Sequence, residues 1–417
     1  MPTFSLPFLR SHTWVLTFAV LLLTACSNSS SNEEPPTPEV ADFTFLVYIA
    51  ADNQTSADLS AFARQDIKEM KKGLATVDDT KVHLLVYADI KKETPRLFEL
   101  TKVNGQVEEK LIKEYAQRNS CGVQEMQEVI DEVMGKKAFE AKRYALDFWS
   151  HGDGWIPSES QTSTRWIGQD VTNGTHYMKI DELVSILANY PKMEFVMFDA
   201  CFMLSIEVAY ALREQANYII GCPTETPGPG ADYARVIPVL FQGDSQLALK
   251  VAEAFYQPYE ENYLAGDQLS DNKWTKGAAI GAIQTSGLNQ LATLTKQCLA
   301  KAVQPENLAH TTFCYDRRST SDSFFVGYYD MVELMKQLLT ESDYTIWKTA
   351  YDAVLPYWQH TPMNYSDVAG MFSMERANGI SHYIPRSDRT KAAASYRQTD
   401  WYKDAGLSQL GWQLYSW

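Results

Sequence analysis

Alternation between apolar runs and amphipathic segments constrains the fold of this chain more than any other feature of its sequence. Five continuous apolar runs occur at 43–50, 82–88, 144–150, 194–199 and 218–221. Segments with the spacing of amphipathic helices alternate with them, at 57–72, 123–134, 180–188 and 204–215. Runs that are apolar on both faces are typical of strands in a buried parallel sheet. The alternation therefore predicts a mostly parallel central sheet covered by helices on both faces, an α/β/α sandwich.

The C-terminal part of the chain carries further elements, which we interpret as additions to this main domain. Helical spacing continues at 246–265, 288–302, 329–340 and 345–357. Two short apolar stretches, 371–374 and 379–384, are expected to extend the sheet as strands. A chain of 417 residues with 45% hydrophobic and 21% charged side chains has enough apolar mass for one large core.

The N-terminus has the features of an export signal. A basic start is followed by an apolar run at 14–23, which is too short to span a bilayer as a stable anchor. The run ends in the sequence LTAC, which resembles the bacterial lipobox, so Cys26 is expected to carry the lipid and to begin the mature protein. An ordinary signal peptide that contains a cysteine by chance is the alternative. The small residues before Cys26 and the polar segment after it favour lipidation.

Domain organisation follows from this assignment. Residues 1–25 form the lipoprotein signal peptide, and residues 26–41, rich in Ser, Asn, Glu and Pro, form a flexible tether that cannot bury apolar surface. Residues 42–417 form the folded domain with its C-terminal extension. The protein is thus expected to be exported and held by its lipid at the outer membrane or the cell surface.

Charge and cysteine usage exclude several classes of protein. The net charge of −15, with no cluster of Lys and Arg, argues against a nucleic-acid partner. The five cysteines other than Cys26 form no CxxC pair, and no histidine has a second ligand at zinc-site spacing. The sequence therefore indicates neither a disulfide framework nor a required metal cofactor, and at least one thiol is expected to be free.

Two reactive side chains follow directly after predicted strands. His151 comes after 144–150 and begins the glycine-rich turn HGDG, and Cys201 comes after 194–199. Open α/β sheets place their ligand crevice at the carboxyl ends of parallel strands, so His151 and Cys201 are expected to face one another if their strands are neighbours. Taken singly, a buried structural cysteine and an ordinary polar histidine are the simpler interpretations. The pair favours catalysis, because a thiolate nucleophile needs a nearby proton-transfer partner.

The backbone around this pair offers donors for a developing oxyanion. The helix predicted from residue 204 would direct its first amides towards the site, and the amide of Gly152 would add another donor.

The sequence resembles the clostripain family of bacterial cysteine peptidases, relatives of caspases, legumains and gingipains. Matching stretches between 43 and 407 are FTFLVYIAADN, DFWSHGDGW, FDACFMLSIEVAYALR, GCPTETPGPGADY, GISHYIPRS and DWYKDAGL. Cys201 lies 50 residues beyond His151, the spacing of about 50 found in caspase-type enzymes. The resemblance implies a caspase-like fold and a dyad of His151 and Cys201.

The resemblance also implies roles for nearby residues. Asp199 falls on the family's acidic residue two before the nucleophile, which is associated with a pocket for a basic substrate side chain. The alternative is that Asp199 closes the strand end and orients loop amides. Glu225 and Asp232 lie in the Gly- and Pro-rich loop 223–232, which is expected to border the cleft, and would add negative charge there.

Function is therefore expected to be that of a cysteine endopeptidase that cuts peptides or proteins after Arg or Lys. A surface-binding lipoprotein that keeps the fold without turnover is the alternative. Clostripain relatives are cut between the His and Cys blocks, which makes Arg165, in the polar stretch 157–165, a candidate autocleavage site. Arg165 as a solvated charge is the simpler interpretation. The resemblance leaves calcium open, since some relatives require it and others do not.

Overall fold

A large mixed sheet organises the computed structural model of the chain. The structure describes residues 40–53, 58–77, 81–156, 167–172, 174–243, 245–265, 276–303, 307–316, 327–366, 369–386 and 389–412. The strands are β1 (Ala41–Ala51), β2 (Val82–Ile90), β3 (Arg96–Val103), β4 (Gln106–Glu114), β5 (Ala141–Trp149), β6 (Ile167–Asp170), β7 (His176–Met178), β8 (Phe195–Asp199), β9 (Tyr218–Gly221), β10 (Ala279–Gln284), β11 (Tyr328–Asp330), β12 (Tyr357–His360), β13 (Met363–Ser366), β14 (Gly370–Ser373) and β15 (Ser381–Tyr383).

Nine of these strands form the central sheet, in the order β12-β10-β9-β8-β5-β1-β2-β3-β4. The five in its middle, from β9 to β2, run parallel to one another. They are the five strands predicted from apolar runs, and that prediction is confirmed. The outer strands are antiparallel to their neighbours.

Helices cover both faces of this sheet. They are α1 (Ser60–Ala75), α2 (Val123–Met134), α3 (Ile180–Leu187), α4 (Ile206–Ala211), α5 (Tyr233–Leu240), α6 (Leu247–Leu264), α7 (Leu288–Leu299), α8 (Leu308–Thr311), α9 (Met331–Leu338), α10 (Glu341–Val354), α11 (Thr390–Tyr396) and α12 (Asp400–Asp404), with short 3₁₀ turns at Lys137–Phe139, Thr285–Gly287 and Leu407–Leu410. Among the described residues, no helix is long and apolar enough to cross a membrane.

The alternation of side chains along β1 divides the interior into two cores. Phe45 and Val47 pack with α1, α5 and α6 on one face, whereas Leu46 and Tyr48 pack with α2, α3 and α4 on the other. Since successive residues of a strand point to opposite faces, an apolar run is buried on both sides only between two helical layers. The predicted α/β/α sandwich with C-terminal additions is confirmed.

The two late apolar stretches do not extend the central sheet, and that prediction is wrong. Strand β14 pairs with β13, and β15 pairs with β11, in separate two-stranded sheets. The edge positions are taken instead by the β3–β4 hairpin and by β10 and β12. Charged residues interrupt the apolar ones in β4, which has no buried residue, so its pattern lacks the continuous apolar run that marked the inner strands.

Candidate active site

The pairing of β5 with β8 positions the two candidate reactive side chains. Trp149 and Asp199 are register partners at the carboxyl ends of these parallel neighbours. His151 and Cys201 each lie two residues beyond that pair, on the same edge of the sheet. The condition that their strands be neighbours is therefore met.

A cavity of about 300 Å³ opens at this edge. Its polar and charged lining residues include His151, Asp199, Cys201, Glu225, Thr226 and Lys276. Aromatic and apolar side chains of Leu59, Phe62, Trp149 and Tyr365 form other parts of the wall. Four of the residues singled out from the sequence are thus brought together, and the cavity has the size of one peptide side chain with its neighbouring backbone.

Cys201 differs from the other cysteines of the described segments. It is partly exposed, whereas Cys121, Cys222, Cys298 and Cys314 are buried. The backbone amide of Thr226 donates to the sulfur of Cys201, with 3.2 Å between the two atoms. A hydrogen bond to sulfur favours the thiolate over the thiol. This contact could not be predicted from the sequence, because a backbone amide can come from any residue type.

The residue directly after Cys201 has a strained backbone. Phe202 has a φ of 61°, a left-handed conformation that costs a non-glycine residue about 1–2 kcal/mol. Its ring stacks on that of Tyr328, with centroids 5.1 Å apart. The same tyrosine donates through its hydroxyl to the carbonyl of Asp153 and accepts from the amide of Ile156. Tyr328, from the C-terminal additions, therefore connects the loop of His151 with the turn after Cys201.

Gly152 brings the histidine loop into contact with the cysteine loop. A Cβ atom at this position would lie 2.7 Å from the carbonyl oxygen of Cys201 and 2.9 Å from the Cβ of Ala200. Only glycine allows this approach, which keeps the histidine loop against the backbone of Cys201.

The start of α4, which was predicted to supply oxyanion donors beside Gly152, is not among the described residues that form the cavity wall. Helix α4 begins at Ile206, five residues after Cys201, and the Ser205 side chain accepts from the amide of Val208. The amides of Phe202 and Leu204 donate to the carbonyls of Thr224 and Cys222. The segment before α4 thus pairs with the chain after β9, and oxyanion donors from the start of this helix stay a prediction.

Asp199 combines burial with access to the cavity. It is 5% exposed, and its Oδ2 accepts from the amide of Ala231 at 2.8 Å and lies 3.2 Å from the hydroxyl of Tyr233. Burial raises the pKa of Asp199 to about 6. It therefore both orients loop amides and lines the cavity, so the two interpretations of this residue are compatible.

The two acidic residues of the following loop have different positions. Glu225 lines the cavity, and its Oε1 accepts from the hydroxyl of Ser366 at 3.2 Å. Asp232 caps α5, accepting from the amide of Ala234, and is not among the described residues that form the cavity wall. Carboxylates still outnumber ammonium groups in that wall, with Asp58, Asp199 and Glu225 against Lys276.

Two further candidates, Cys26 and Arg165, lie outside the described residues. Within the described segments, no group of three or more His, Cys, Asp or Glu side chains is arranged to hold a metal ion.

Solved structures of several cysteine proteases are similar to this chain. A secreted cysteine protease of the clostripain family from Bacteroides thetaiotaomicron, solved with an irreversible peptide inhibitor, is 35% identical, with a TM-score of 0.78 over 88% of this chain and 99% of its own. An inactive zymogen of a protease of the same family from Parabacteroides distasonis is 27% identical, with a TM-score of 0.73 over 88% and 99%. A B. fragilis cysteine protease is 40% identical, with a TM-score of 0.53 over 59% and 99%. No match was found among curated proteins.

The fold is therefore that of a cysteine peptidase with a caspase-like central sheet. The sequence model of the clostripain family matches residues 47–417, and the chain belongs to that family.

Proposed function

We propose that this peptidase is an endopeptidase in which Cys201 is the nucleophile and His151 its proton-transfer partner. The observation that carries the proposal is that both side chains line one cavity, from the paired ends of β5 and β8. The amide of Thr226 on the Cys201 sulfur supports the thiolate that the reaction needs.

The proposed reaction uses this chain's own groups. The Cys201 thiolate attacks the scissile carbonyl carbon, and the amide of Gly152 donates to the oxyanion of the tetrahedral intermediate. Protonated His151 gives its proton to the leaving amine as the C–N bond breaks. Neutral His151 then takes a proton from water, whose oxygen attacks the thioester and releases the acid and the thiolate.

For specificity we propose cleavage after Arg or Lys. Asp199 lies at the cavity wall as a buried carboxylate, and Glu225 adds a second negative charge. A guanidinium or ammonium group bound there would form a charge-assisted hydrogen bond in a site sheltered from water.

Covalent labelling tests the dyad. We expect an acyloxymethyl ketone with Arg at its reactive end to label Cys201, which increases the mass of the protein by one inhibitor adduct. We expect the label to disappear in Cys201→Ala and to fall strongly in His151→Ala. Cys222→Ala is the matched control, since Cys222 is a buried cysteine near the same loops. Labelling of a different cysteine would contradict the assignment of the nucleophile. A folded protein that takes no label and cleaves nothing would favour the binding lipoprotein.

The pH dependence of labelling tests the pairing separately. If His151 holds the thiolate, the labelling rate should rise with pH along an acid limb that lies well below the free thiol pKa of about 8.5. A limb at the free value would show that the resting pair does not form.

For localisation we propose export and lipid anchoring through Cys26, supported by the LTAC sequence and by the secreted relative. We expect Cys26→Ser to move the protein from the membrane fraction to the soluble fraction. Unchanged membrane association would reject the anchor.

Autoprocessing after Arg165 is a further proposal, supported by the zymogen form of the Parabacteroides distasonis relative. Incubation of the purified domain should produce a new N-terminus at Trp166, absent in Cys201→Ala. An intact chain with full activity would reject it.

Since the reaction above assigns no step to a metal, we also expect full turnover in a calcium chelator. A loss of turnover that calcium restores would reject that expectation.

A further inference from the structure

Behind the cavity carboxylate lies a buried hydrogen-bonded group that the proposed reaction does not use. The hydroxyl oxygen of Tyr233 is 3.2 Å from Oδ2 of Asp199 and 2.5 Å from Oδ2 of Asp147. Tyr233 and Asp147 are both completely buried. Asp147 comes from β5, Asp199 from β8 and Tyr233 from the start of α5, so three elements meet at one hydroxyl group.

Proton counting restricts how this group can be charged. A phenol carries one hydrogen, so its oxygen cannot donate to both carboxylates at once. If Asp147 is protonated, it donates to the Tyr233 oxygen, and Tyr233 can then donate to Asp199. If Asp147 is ionised, it takes the Tyr233 hydrogen, and Asp199 loses a donor and gains a negative neighbour. A neutral Asp147 therefore favours a charged Asp199, because it leaves the Tyr233 hydrogen for Asp199 and adds no negative charge beside it.

The surroundings of the two carboxylates favour a neutral Asp147 and a charged Asp199. Asp147 lies inside the sheet, where burial and the negative charge of Asp199 hold its pKa well above the usual range. Asp199 faces the cavity and keeps the donors from Ala231 and Tyr233, which lower its pKa against the larger effect of burial. Other titratable groups that interact with this cluster are Asp66 and Glu69 on α1, Tyr259 on α6 and Cys222 after β9.

We infer that Tyr233 and Asp147 are positioning residues for specificity, which hold Asp199 ionised and directed at the cavity for a basic substrate side chain. The inference rests on the proposed role of Asp199. Protonated Asp147 supplies the hydrogen bond to Tyr233, and Tyr233 supplies one to Asp199, so the negative charge of the pair stays on the carboxylate that substrate can reach.

Tyr233→Phe tests the inference through the ratio of kcat/KM for an Arg substrate to that for a matched neutral substrate. Because both substrates share the nucleophile, the ratio isolates Asp199 from the titration of the dyad. In the wild type the ratio should rise as pH increases through about 6, where Asp199 ionises. Loss of the Tyr233 donor should move this rise about one pH unit higher and lower the ratio at pH 6 about fivefold.

Tyr259→Phe is the matched control. Tyr259 is equally buried and donates to the carbonyl of Gly230 at 2.7 Å, so its single hydroxyl hydrogen is used outside the pair of Asp147 and Asp199. It should lose comparable stability and keep the wild-type ratio profile. Identical profiles for the two variants would overturn the inference.

A second variant decides the matter should Tyr233→Phe not fold. Asp147→Asn cannot ionise and keeps a donor towards Tyr233, so it should keep the wild-type profile. A rise of the ratio at a clearly different pH in Asp147→Asn would overturn the inference, because it would show that Asp147 is ionised in the wild type. Asp199→Asn distinguishes failure of the inference from failure of the proposed pocket role of Asp199. If Asp199→Asn leaves the ratio unchanged, Asp199 does not bind the basic side chain, and the inference loses the role on which it rests.

Discussion

Two groups of buried acidic residues lie in and around the central sheet, and only one of them reaches the cavity. The first group consists of Asp66, Asp147 and Asp199, and the second of Asp52, Asp89 and Asp170. All six are at least nine-tenths buried. Of the six, only Asp199 contributes to the cavity wall.

Two members of the second group, Asp170 and Asp52, are hydrogen-bonded by their own surroundings. Asp170 accepts from the amide and the hydroxyl of Ser120 and from the amide of Thr172, and Asp52 accepts from the Thr172 hydroxyl at 2.9 Å. Burial and the charge of Asp170 raise the pKa of Asp89 to about 8. A raised pKa is thus present in both groups, and access to the cavity is what distinguishes a candidate for substrate binding.

The comparison predicts its largest effect for Asp199→Asn. Loss of the charge should lower kcat/KM for Arg and Lys substrates about 10- to 100-fold while sparing neutral ones, since a desolvated charge-assisted hydrogen bond is worth about 1.5–3 kcal/mol. Kinetics on paired peptides that differ only at the residue before the cut would measure it.

Asp170→Asn is the control from the other group. It should lower the melting temperature, because one of its backbone or hydroxyl donors loses an acceptor, and it should leave the ratio of basic to neutral substrates unchanged. A fall of that ratio in Asp170→Asn would remove the distinction between the groups.

A smaller effect is expected from steric displacement of Asp199. Gly230 has a φ of 63°, and a Cβ there would collide with both carboxylate oxygens of Asp199. Gly243 has a φ of 64° with open space around a Cβ. Alanine at either position costs about 1–2 kcal/mol of stability from its left-handed backbone. Only Gly230→Ala should also reduce the preference for basic substrates, and equal preference in the two variants would contradict the contact.

These contrasts also show what the sequence can predict. The inner strands were found because burial on both faces leaves a continuous apolar run, and helix α2 was predicted with its observed bounds, Val123–Met134. The edge strands β4 and β12 face solvent on one side or along one edge, so their patterns resemble those of loops. The short strand β15 was predicted as a strand, but its pairing with β11 depends on tertiary contacts.

The residues of the site also divide into those that the sequence predicts and those that it does not. His151, Cys201 and Asp199 could be located because each follows or ends an apolar run, where chemistry and strand position coincide. Tyr328 and Tyr233 could not, since each reaches the site from an element distant along the chain and looks like any core aromatic. Asp232 was expected in the pocket because of its charge, but the start of α5 uses that carboxylate as a helix cap.

The effect on activity is smallest for Asp89, whose substitution should change stability alone. Its pKa is raised from 3.8 to about 8 in the folded protein, so the folded state favours the protonated form. The wild type therefore loses stability as pH rises from about 4 to about 8, and Asp89→Asn, which cannot ionise, does not. We expect the melting temperature of Asp89→Asn relative to wild type to increase with pH across this window and to level off above it. Asp42→Asn is the control, because the pKa of Asp42 is lowered by Lys142 and its difference from wild type should stay constant from pH 5 to pH 9. A constant difference for Asp89→Asn as well would mean that Asp89 is ionised in the folded protein throughout, and the second group would then need a donor or cation that compensates its charge.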